Sequence, residues 1–376
     1  MSILTVNHLS RRRFLARTAV TAAAAAALSV RPSLAQQSTN AKKLGYAIVG
    51  IGSLSMHQIL PGFANAKLCY PVALVSGHPA KARQQADLYG IDPKNIYNYD
   101  NFDSIKDNPD IDVVYIVLPN GMHAEYTIRA ANAGKHVLCE KPMANTVEEC
   151  QAMIDACNAN QRKLLIAYRM HYEPMTAKAI ELAQNEIGTI KQITAQCGFH
   201  MGDPNQWRCN KKLAGGGSLR DIGIYALQAT RYLSGQEPSE VAAVMYSTPN
   251  DPRFREVEET ISFELRFESG IVAQVLSTYG FNCNRFQVYG TEGQIYASPF
   301  QGYSGNHLYR WGGPDGWEEI AYAPVDHFAA EMDHLCTCIA NDQTPRTPGE
   351  EGKKDMQIMM AAYESARTGK AVRIVV

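Results

Sequence analysis

The sequence predicts an α/β protein in which a doubly wound, mostly parallel sheet is followed by an α+β domain with a large, mostly antiparallel sheet. Three observations support this. A glycine-rich turn follows the first apolar strand, and apolar strands then alternate with helical segments as far as residue 167. Beyond residue 190, strand-like runs follow one another largely without helices. The first pattern is typical of a parallel sheet with helices on both faces, and the second of an antiparallel sheet.

Composition excludes several classes of protein. The net charge of −1 over 376 residues gives no electrostatic reason to expect a nucleic-acid partner. The nine cysteines are scattered, and only Cys336 and Cys338 are close in sequence. Because no Cys-x-x-Cys motif occurs, we expect neither a metal site nor a disulfide framework.

The first 35 residues resemble a signal peptide. Ser10–Leu15 contains a twin-arginine pattern, an alanine-rich apolar run follows, and Ser33–Ala35 provides small residues for cleavage. The run is too short for a permanent membrane anchor. We therefore predict a twin-arginine signal over residues 1–35, a polar linker over 36–43, and export of the folded protein to the periplasm.

The predicted first domain, residues 44–168, opens with a dinucleotide-binding motif. A strand over Gly45–Val49 leads into Gly50, Gly52 and Ser53, and a helix follows. Gly50 permits the tight turn, and Gly52 lets the backbone approach a pyrophosphate at the helix N-terminus. Ser55 stands where a third glycine is usual. The pattern predicts a Rossmann domain.

The end of the second strand, Val72–Val75, predicts which cofactor binds. An NAD site favours a carboxylate there for the ribose hydroxyls. This chain instead has Ser76, followed by Lys81 and Arg83, so nothing repels a 2′-phosphate. We predict NADP, with the alternative that the two cations lie on an exposed helix.

Three later strands also end in polar residues that we expect beside the cofactor. After a strand over 113–118 come Leu118, Pro119, Asn120 and His123. The run 135–138 leads into Glu140, Lys141 and Pro142, and a strand over 163–167 leads into Arg169. Ligands bind outside the carboxyl ends of strands in such sheets, so these residues are predicted to line the crevice.

The predicted second domain, residues 169–376, contains a second polar motif. Trp207 and Arg208 precede the glycines 215–217, whose lack of a side chain suits close approach of the backbone to a ligand. Asp221 and Tyr225 follow, four residues apart and therefore on one face of a helix. They form a candidate acid/base group, although a helix that only packs has the same spacing.

These motifs together resemble the glucose–fructose oxidoreductase/inositol dehydrogenase (Gfo/Idh/MocA) family over nearly the whole mature chain. The resemblance is greatest to its exported glucose–fructose and aldose–aldose oxidoreductase branch, through segments such as Gln206–Arg208 and Pro348–Gly352. It implies a catalytic Lys141 and a homodimer formed through the C-terminal sheet. A tetramer is also possible, although the proline-rich arm of the branch's best-known member is missing from the short linker.

The expected chemistry moves a hydride between C1 of a cyclic aldose and the nicotinamide while a proton leaves the hydroxyl. We expect Tyr225 to transfer the proton, with the Lys141 ammonium favouring its phenolate. Asp221 and Arg208 are expected to hold sugar hydroxyls, and Tyr303 to contact the substrate. Arg169, Trp207 and Arg208 are also assigned to the cofactor.

Export adds a constraint, because the periplasm supplies little free cofactor. The sequence therefore predicts an enzyme that keeps NADP, oxidises an aldose to an aldonolactone and reduces a second sugar, an aldose or fructose, to an alditol in the same site. Two alternatives stay open: a cofactor-binding sugar sensor without turnover, and a glycosidase assisted by NAD(P) redox cycling.

Overall fold

A computed structural model describes residues 42–376, which form one compact unit. The predicted signal peptide, residues 1–35, and most of the predicted linker, 36–43, lie outside the described residues. Within the described part of the chain, no helix combines the length and apolarity needed to cross a membrane.

The first sheet has six parallel strands in the order β3-β2-β1-β4-β5-β6. This is the order of a doubly wound dinucleotide fold, and it confirms the predicted fold class. The central strands are almost wholly buried, which explains their continuous apolar sequence. The strands are β1 (Leu44–Val49), β2 (Cys69–Val75), β3 (Ile96–Tyr97), β4 (Val113–Ile116), β5 (His136–Glu140) and β6 (Leu164–Ala167).

Helices cover this sheet, and their ends follow from local chemistry. The first is a π-helical turn, Ser55–Ile59, that continues into α1 (Leu60–Gly62). The other helices of this part of the chain are α2 (Pro79–Tyr89), α3 (His123–Asn132) and α4 (Val147–Ala159). Helix α4 begins at a capping box, in which the Thr146 hydroxyl accepts from the Glu149 amide and the Glu149 carboxylate accepts from the Thr146 amide.

The second sheet has nine strands in the order β14-β13-β12-β11-β7-β10-β9-β8-β15. Its pairs are antiparallel except for β7 with β10, so the prediction of a mostly antiparallel sheet is confirmed. Six of these strands are predicted from the sequence, at 192–198, 241–247, 260–267, 271–277, 285–289 and 294–296, whereas the short strands nearer the C-terminus are not. The strands are β7 (Ile190–Gly198), β8 (Glu240–Tyr246), β9 (Thr260–Arg266), β10 (Val272–Thr278), β11 (Cys283–Gly290), β12 (Gln294–Ala297), β13 (Leu308–Trp311), β14 (Trp317–Glu319) and β15 (Val372–Arg373).

One face of the second sheet packs on helices and the other does not. Along β9, for example, Ile261, Phe263 and Leu265 are buried and alternate with more exposed residues. The helices of this part of the chain are α5 (Pro174–Asn185), α6 (Lys211–Ala214), α7 (Ile224–Ser234), α8 (His327–Ala340) and α9 (Gly349–Thr368).

Helix α8 connects the two predicted domains. Although it lies late in the sequence, Phe328, Met332 and Leu335 share a buried cluster with Tyr46 and Leu138 of the parallel sheet. This late segment thus packs on the parallel sheet, and its Phe328 also lines the cleft described below. The boundary at residue 168/169 stays a prediction.

Candidate active site

A cleft of about 690 Å³ lies where the carboxyl ends of the parallel strands meet the second part of the chain. Its position matches the place where doubly wound sheets bind ligands. Most of the predicted site residues line it: Gly50, Gly52, Ser53, Ser76, Lys81, Leu118, Pro119, Asn120, Glu140, Lys141, Arg169, Trp207, Arg208, Asp221, Tyr225 and Tyr303.

The glycine turn after β1 has the shape that a pyrophosphate requires. Gly50 has a φ of +92°, and a Cβ there would lie 2.4 Å from the Val117 carbonyl oxygen. A Cβ on Gly52 would meet no atom within 4 Å, so this backbone is open towards the cleft. The Ser55 hydroxyl, in place of the third glycine, donates to the Gly50 carbonyl at 2.5 Å and is fully buried. Serine at position 55 therefore stabilises the turn through a side-chain hydrogen bond.

The far end of the cleft contains Ser76 and Lys81, two of the residues predicted to lie beside the cofactor ribose. Ser76 is buried at the end of β2, and its hydroxyl accepts from the His78 amide at 3.1 Å. Lys81 lines the cleft and donates to the Ile51 carbonyl at 3.3 Å. Among the described lining residues, the carboxylates are Glu140 and Asp221, which lie beside Lys141 instead.

The structure does not place Arg83 in this cleft. On helix α2 it lies two residues after Lys81, and because two helical residues turn through about 200°, it faces the opposite side. Its side chain is exposed and is not among the lining residues. The alternative prediction, that these cations lie on an exposed helix surface, therefore describes Arg83, whereas Lys81 lines the cleft.

His123 was also predicted to line the cleft, but it lies behind the cleft and is not among the lining residues. It is fully buried, and its two ring nitrogens contact the carbonyl oxygens of Pro142 and Leu118 at 2.8 and 2.9 Å. Burial lowers the pKa of the imidazole, which favours the neutral ring. His123 thus ties together the turns that follow β4 and β5. Asn120, by contrast, lines the cleft and donates to the Ala214 carbonyl at 2.8 Å.

Lys141 lies between the two carboxylates of the cleft. Strand β5 extends two residues further than predicted and delivers Glu140, which accepts from the Tyr115 hydroxyl at 3.0 Å. The Lys141 ammonium donates to the Asp221 carbonyl oxygen at 2.5 Å and lies 3.9 Å from the Asp221 carboxylate. Burial lowers the pKa of Lys141, while Asp221 and Glu140 oppose that change.

Asp221 is the centre of a charged hydrogen-bond network. Its Oδ2 accepts from Arg208 Nε at 2.7 Å and from the Tyr279 hydroxyl at 3.1 Å. Burial alone would raise the pKa of this carboxyl, but the Arg208 and Lys141 cations outweigh it, so the pKa is below its usual value. Asp221 is therefore a carboxylate that orients two cations.

Tyr225 has a different environment from the one predicted. Its hydroxyl accepts from Arg169 Nε at 3.1 Å, whereas the Lys141 ammonium lies over its ring, 4.8 Å from the centroid. Burial raises the pKa of Tyr225 to about 12, and Arg169 only partly opposes the rise. Lys141 was expected to favour the phenolate, but the cation that hydrogen-bonds the Tyr225 hydroxyl is Arg169, and burial outweighs its effect on the pKa.

The glycines 215–217 pack against protein and not against the cleft. A Cβ on Gly217 would lie 1.9 Å from the Glu258 carbonyl oxygen, and one on Gly215 would lie 2.1 Å from Asn145 Oδ1. The buried Glu258 carboxylate accepts from the Gly217 and Leu219 amides at 2.7 and 3.0 Å. The predicted ligand role is therefore wrong for these glycines. They let the chain enter a π-helical turn, Leu219–Gly223, that presents Asp221.

Several lining residues come from distant segments and were not predicted individually from the sequence. Tyr99, Phe199, Asn284, Gln301, Gly302 and Phe328 all line the cleft. Tyr279, which bonds Asp221, was missed as well. None belongs to a motif with a recognisable spacing, so only their position in the fold identifies them. Among residues 42–376, no group of three or more metal-ligating side chains is arranged to hold a metal ion.

The fold and this cleft define a Rossmann-type oxidoreductase that binds a nicotinamide dinucleotide. Residues 44–168 match the family described as "Oxidoreductase family, NAD-binding Rossmann fold", and residues 176–296 match the GFO/IDH/MocA C-terminal domain. The chain belongs to the GFO/IDH/MocA oxidoreductase family.

Three known proteins illustrate the likeness. The crystal structure of aldose–aldose oxidoreductase from Caulobacter crescentus, complexed with glycerol, is 45% identical, covers 89% of this chain and 100% of its own, and superposes with a TM-score of 0.87. D-xylose 1-dehydrogenase (NADP(+)) 2 of Haloferax volcanii is 30% identical over 88% of this chain and 99% of its own length. Levoglucosan dehydrogenase, solved with NADH and levoglucosan, is 26% identical over 89% and 100% of the two chains, with a TM-score of 0.78.

Proposed function

We propose that this protein is a periplasmic sugar oxidoreductase that keeps its NADP bound. It oxidises an aldose at C1 to an aldonolactone and reduces a second sugar, an aldose or fructose, to an alditol in the same cleft. The observation that supports this most strongly is the meeting of Lys141, Asp221 and Tyr225 at the end of a dinucleotide-binding turn. The 45% identity to an aldose–aldose oxidoreductase supports the choice of sugars.

The residues present fit a dinucleotide. Gly50 and Gly52 leave the backbone of the first turn open, as a pyrophosphate at a helix N-terminus requires. Ser76 and Lys81 favour NADP, because neither repels a 2′-phosphate and Lys81 attracts it. When bound, the nicotinamide accepts a hydride from a carbinol carbon or returns it to a carbonyl carbon.

The cationic network around Asp221 suits a ligand rich in hydroxyl groups. The Lys141 ammonium has three donors, and only its contact with the Asp221 carbonyl is short. The remaining donors can hold the oxygen at the reacting carbon. Arg208 is a third exposed, is fixed by Asp221 at 2.7 Å and lies over the Trp207 ring at 4.6 Å, so it can donate to a further hydroxyl.

Tyr225 has the correct protonation state for one direction of the reaction at neutral pH. With a pKa of about 12 its phenol is protonated and can donate to the carbonyl oxygen of the second sugar. Oxidation of the first sugar needs the phenolate, whose cost Arg169 lowers. The aldose loses one hydride and one proton to become a lactone, and the second sugar gains both to become an alditol. The pair of reactions is therefore balanced without free cofactor.

The periplasmic location rests on residues outside the described structure. The twin-arginine pattern at Arg11 and Arg12 favours export after folding, so cofactor would travel inside the protein. Replacing both arginines by lysine is expected to leave the precursor in the cytoplasm, which cell fractionation detects. Normal export of this double variant would contradict the proposal.

We also propose a homodimer formed through the open face of the nine-stranded sheet. Val244 and Tyr246 of β8 project from that face and are 69% and 59% exposed, and a 630 Å³ depression lies beside them. A second copy of the same face would cover these two exposed side chains. Light scattering should give twice the chain mass, or four times it for a tetramer. A Val244→Glu variant should be monomeric, and a monomeric wild type would contradict the dimer.

Product analysis without added cofactor tests the function. Purified protein is incubated with D-glucose, D-xylose and D-galactose singly and in pairs with fructose. Equal amounts of lactone and alditol are expected, together with NADP(H) released on denaturation. Binding of sugar without products would identify a sensor, and cleavage of a glycoside without lactone would identify a glycosidase. Tyr70→Phe, near the start of β2 and away from both the cleft and the open face of the large sheet, serves as a control with unchanged products.

A further inference from the structure

Arg169 is buried at the centre of the cleft wall without a carboxylate partner. It is 4% exposed, and it is absent from the ion pairs found among residues 42–376, whereas Arg208 and Arg231 each pair with acids. A buried cation without a counter-ion is costly unless its donors are satisfied. The desolvation of Arg169 must therefore be offset by its hydrogen bonds.

All five donors of this guanidinium have acceptors, which lie on three segments of the chain. Nε donates to the Tyr225 hydroxyl at 3.1 Å. One terminal nitrogen donates to the Gly302 carbonyl and the Met170 sulfur at 3.1 and 3.3 Å. The other donates to the Gln301 carbonyl and side-chain oxygen at 2.5 and 3.3 Å. One planar group thus holds both the phenol and a loop.

The same guanidinium lies between two aromatic rings. Its central carbon is 4.9 Å from the Tyr225 centroid and 4.8 Å from that of Tyr303. Tyr303 is 53% exposed at the mouth of the cleft and contacts the Phe328 ring at 5.7 Å. Arg169 therefore helps to hold the segment Gln301–Tyr303 against the cleft, together with Asn284 and Asn306, whose side-chain oxygens accept from the Gln301 and Gly302 amides.

We propose that Arg169 is a positioning residue that couples the Gln301–Tyr303 segment to the proton-transfer phenol of Tyr225. This inference rests on the proposed function, because it takes Tyr225 as the acid/base. Through Nε it orients the phenol and stabilises the phenolate, and through its terminal nitrogens it holds the loop that closes the sugar pocket. Binding of sugar against the loop and readiness for proton transfer are then linked through one side chain.

Other charges around the phenol do not replace this arrangement. Lys141 faces the ring and not the hydroxyl, while Glu140 and Asp221 are anions that disfavour the phenolate. Tyr303 faces Arg169 from the loop. Arg169 is therefore the cation that bonds the Tyr225 hydroxyl among the described groups facing it.

Lysine and glutamine at position 169 separate the two roles. Lysine keeps the charge but lacks the planar fork, so it cannot hold the phenol and both loop carbonyls. Arg169→Lys should raise the KM for sugar about tenfold and leave kcat within a few-fold. Arg169→Gln also removes the charge, so the pKa of Tyr225 should rise by about 1–3 units. The rate of sugar oxidation between pH 7 and 10 should then fall roughly 10- to 1000-fold at each pH.

Arg220 provides the matched control. It is also buried and donates to backbone carbonyls, those of Ala144 and Asn145 at 3.4 and 3.1 Å, but its side chain does not line the cleft. Arg220→Lys should reduce thermal stability as Arg169→Lys does, without separating kcat from KM.

The experiment measures stopped-flow nicotinamide absorbance in each half-reaction over pH 7–10, on holoenzyme with the fastest aldose of the panel. Equal loss of kcat in Arg169→Lys and Arg169→Gln, or an unchanged KM in both, would overturn the coupling. Tyr225→Phe run in parallel separates the two proposals. If Tyr225→Phe is impaired and Arg169→Gln is not, the inference alone is wrong; if Tyr225→Phe is fully active, its acid/base role is wrong. Should Arg169→Gln not fold, the KM of Arg169→Lys still decides.

Discussion

The two walls of the cleft are built by different means. The nucleotide wall is mostly backbone, formed by the turns after β1, β2 and β4, and its chemistry depends on the absence of side chains at Gly50 and Gly52. The sugar wall consists of charged and aromatic side chains, such as Asp221 and Arg169, whose contacts come from residues up to 133 positions apart. We therefore expect substitutions within the side-chain network of the sugar wall to have larger effects than substitutions of single side chains such as Ser76 and Lys81 on the nucleotide wall.

The largest expected effect tests the sugar wall directly. Tyr225→Phe keeps the ring and its packing but removes the proton carrier, so both half-reactions should slow by roughly 10²–10⁴. Bound NADP should be retained, because the nucleotide wall is unchanged. Single-turnover nicotinamide absorbance measures each half-reaction. Loss of oxidation with full retention of reduction would contradict a shared phenol.

Lys141→Ala sharpens the same test. The ammonium lies between Asp221 and the Tyr225 ring, so its loss should also slow both half-reactions. Because the residues act as a unit, the double variant should be little slower than the slower single variant. A double variant slowed by the product of the two single-variant factors would show that the two residues act independently.

Asp221→Asn tests whether the sugar wall is one network. It removes the carboxylate that holds Arg208 and Lys141, so kcat/KM should fall by about 10- to 100-fold, and the free energy of unfolding by about 1.5–3 kcal/mol. The pKa of Asp221 is lowered in the folded state, so its stabilisation is present above about pH 4 and is lost as the pH falls through the folded-state pKa.

Thermal melting across pH 3–8 measures this pH dependence of the stability. The difference in melting temperature between wild type and Asp221→Asn should be constant at neutral pH and shrink in acid. A difference that grows in acid would contradict the lowered pKa. Asp112→Asn is a control, since its carboxylate bonds the Gly45 amide at the start of β1, away from the cleft.

On the nucleotide wall, Ser76→Asp should have a smaller effect that is confined to the cofactor. A carboxylate at the end of β2 repels a 2′-phosphate and accepts from ribose hydroxyls, so NADP should bind roughly tenfold more weakly, about 1.4 kcal/mol, while NAD gains. Titration calorimetry on protein stripped of cofactor measures both. Unchanged NADP affinity would show that Ser76 lies away from the ribose.

The smallest effect compares two neighbouring cations of α2. Lys81→Ala should weaken NADP binding several-fold and leave NAD binding unchanged, because Lys81 lines the cleft. Arg83→Ala is the matched variant and should change neither affinity, because Arg83 faces solvent. Equal effects of the two substitutions would contradict the placement of the helix against the cleft.

Much of the fold could be predicted from the sequence because its signals are local. The strand before Gly50, the alternation of apolar strands with helices, and the later run of consecutive strands each follow from the chain's own periodicity. The same is true of Gly50, Gly52 and Lys141, because a turn at the end of a buried strand fixes where they lie. The short strands β13, β14 and β15 were missed because they contain few residues to show a period.

The sequence by itself determined a Rossmann domain followed by a mostly antiparallel sheet, and the set of residues at the strand ends. Tertiary structure decided what those residues touch. Burial gives Tyr225 a pKa of about 12, and Arg169, 56 positions away, bonds its hydroxyl. Burial also makes His123 a tie between two turns, and the packing of Glu258 explains the glycines at 215–217. Hydration, charge and close contact depend on distances in space, and neighbours along the chain do not fix those distances.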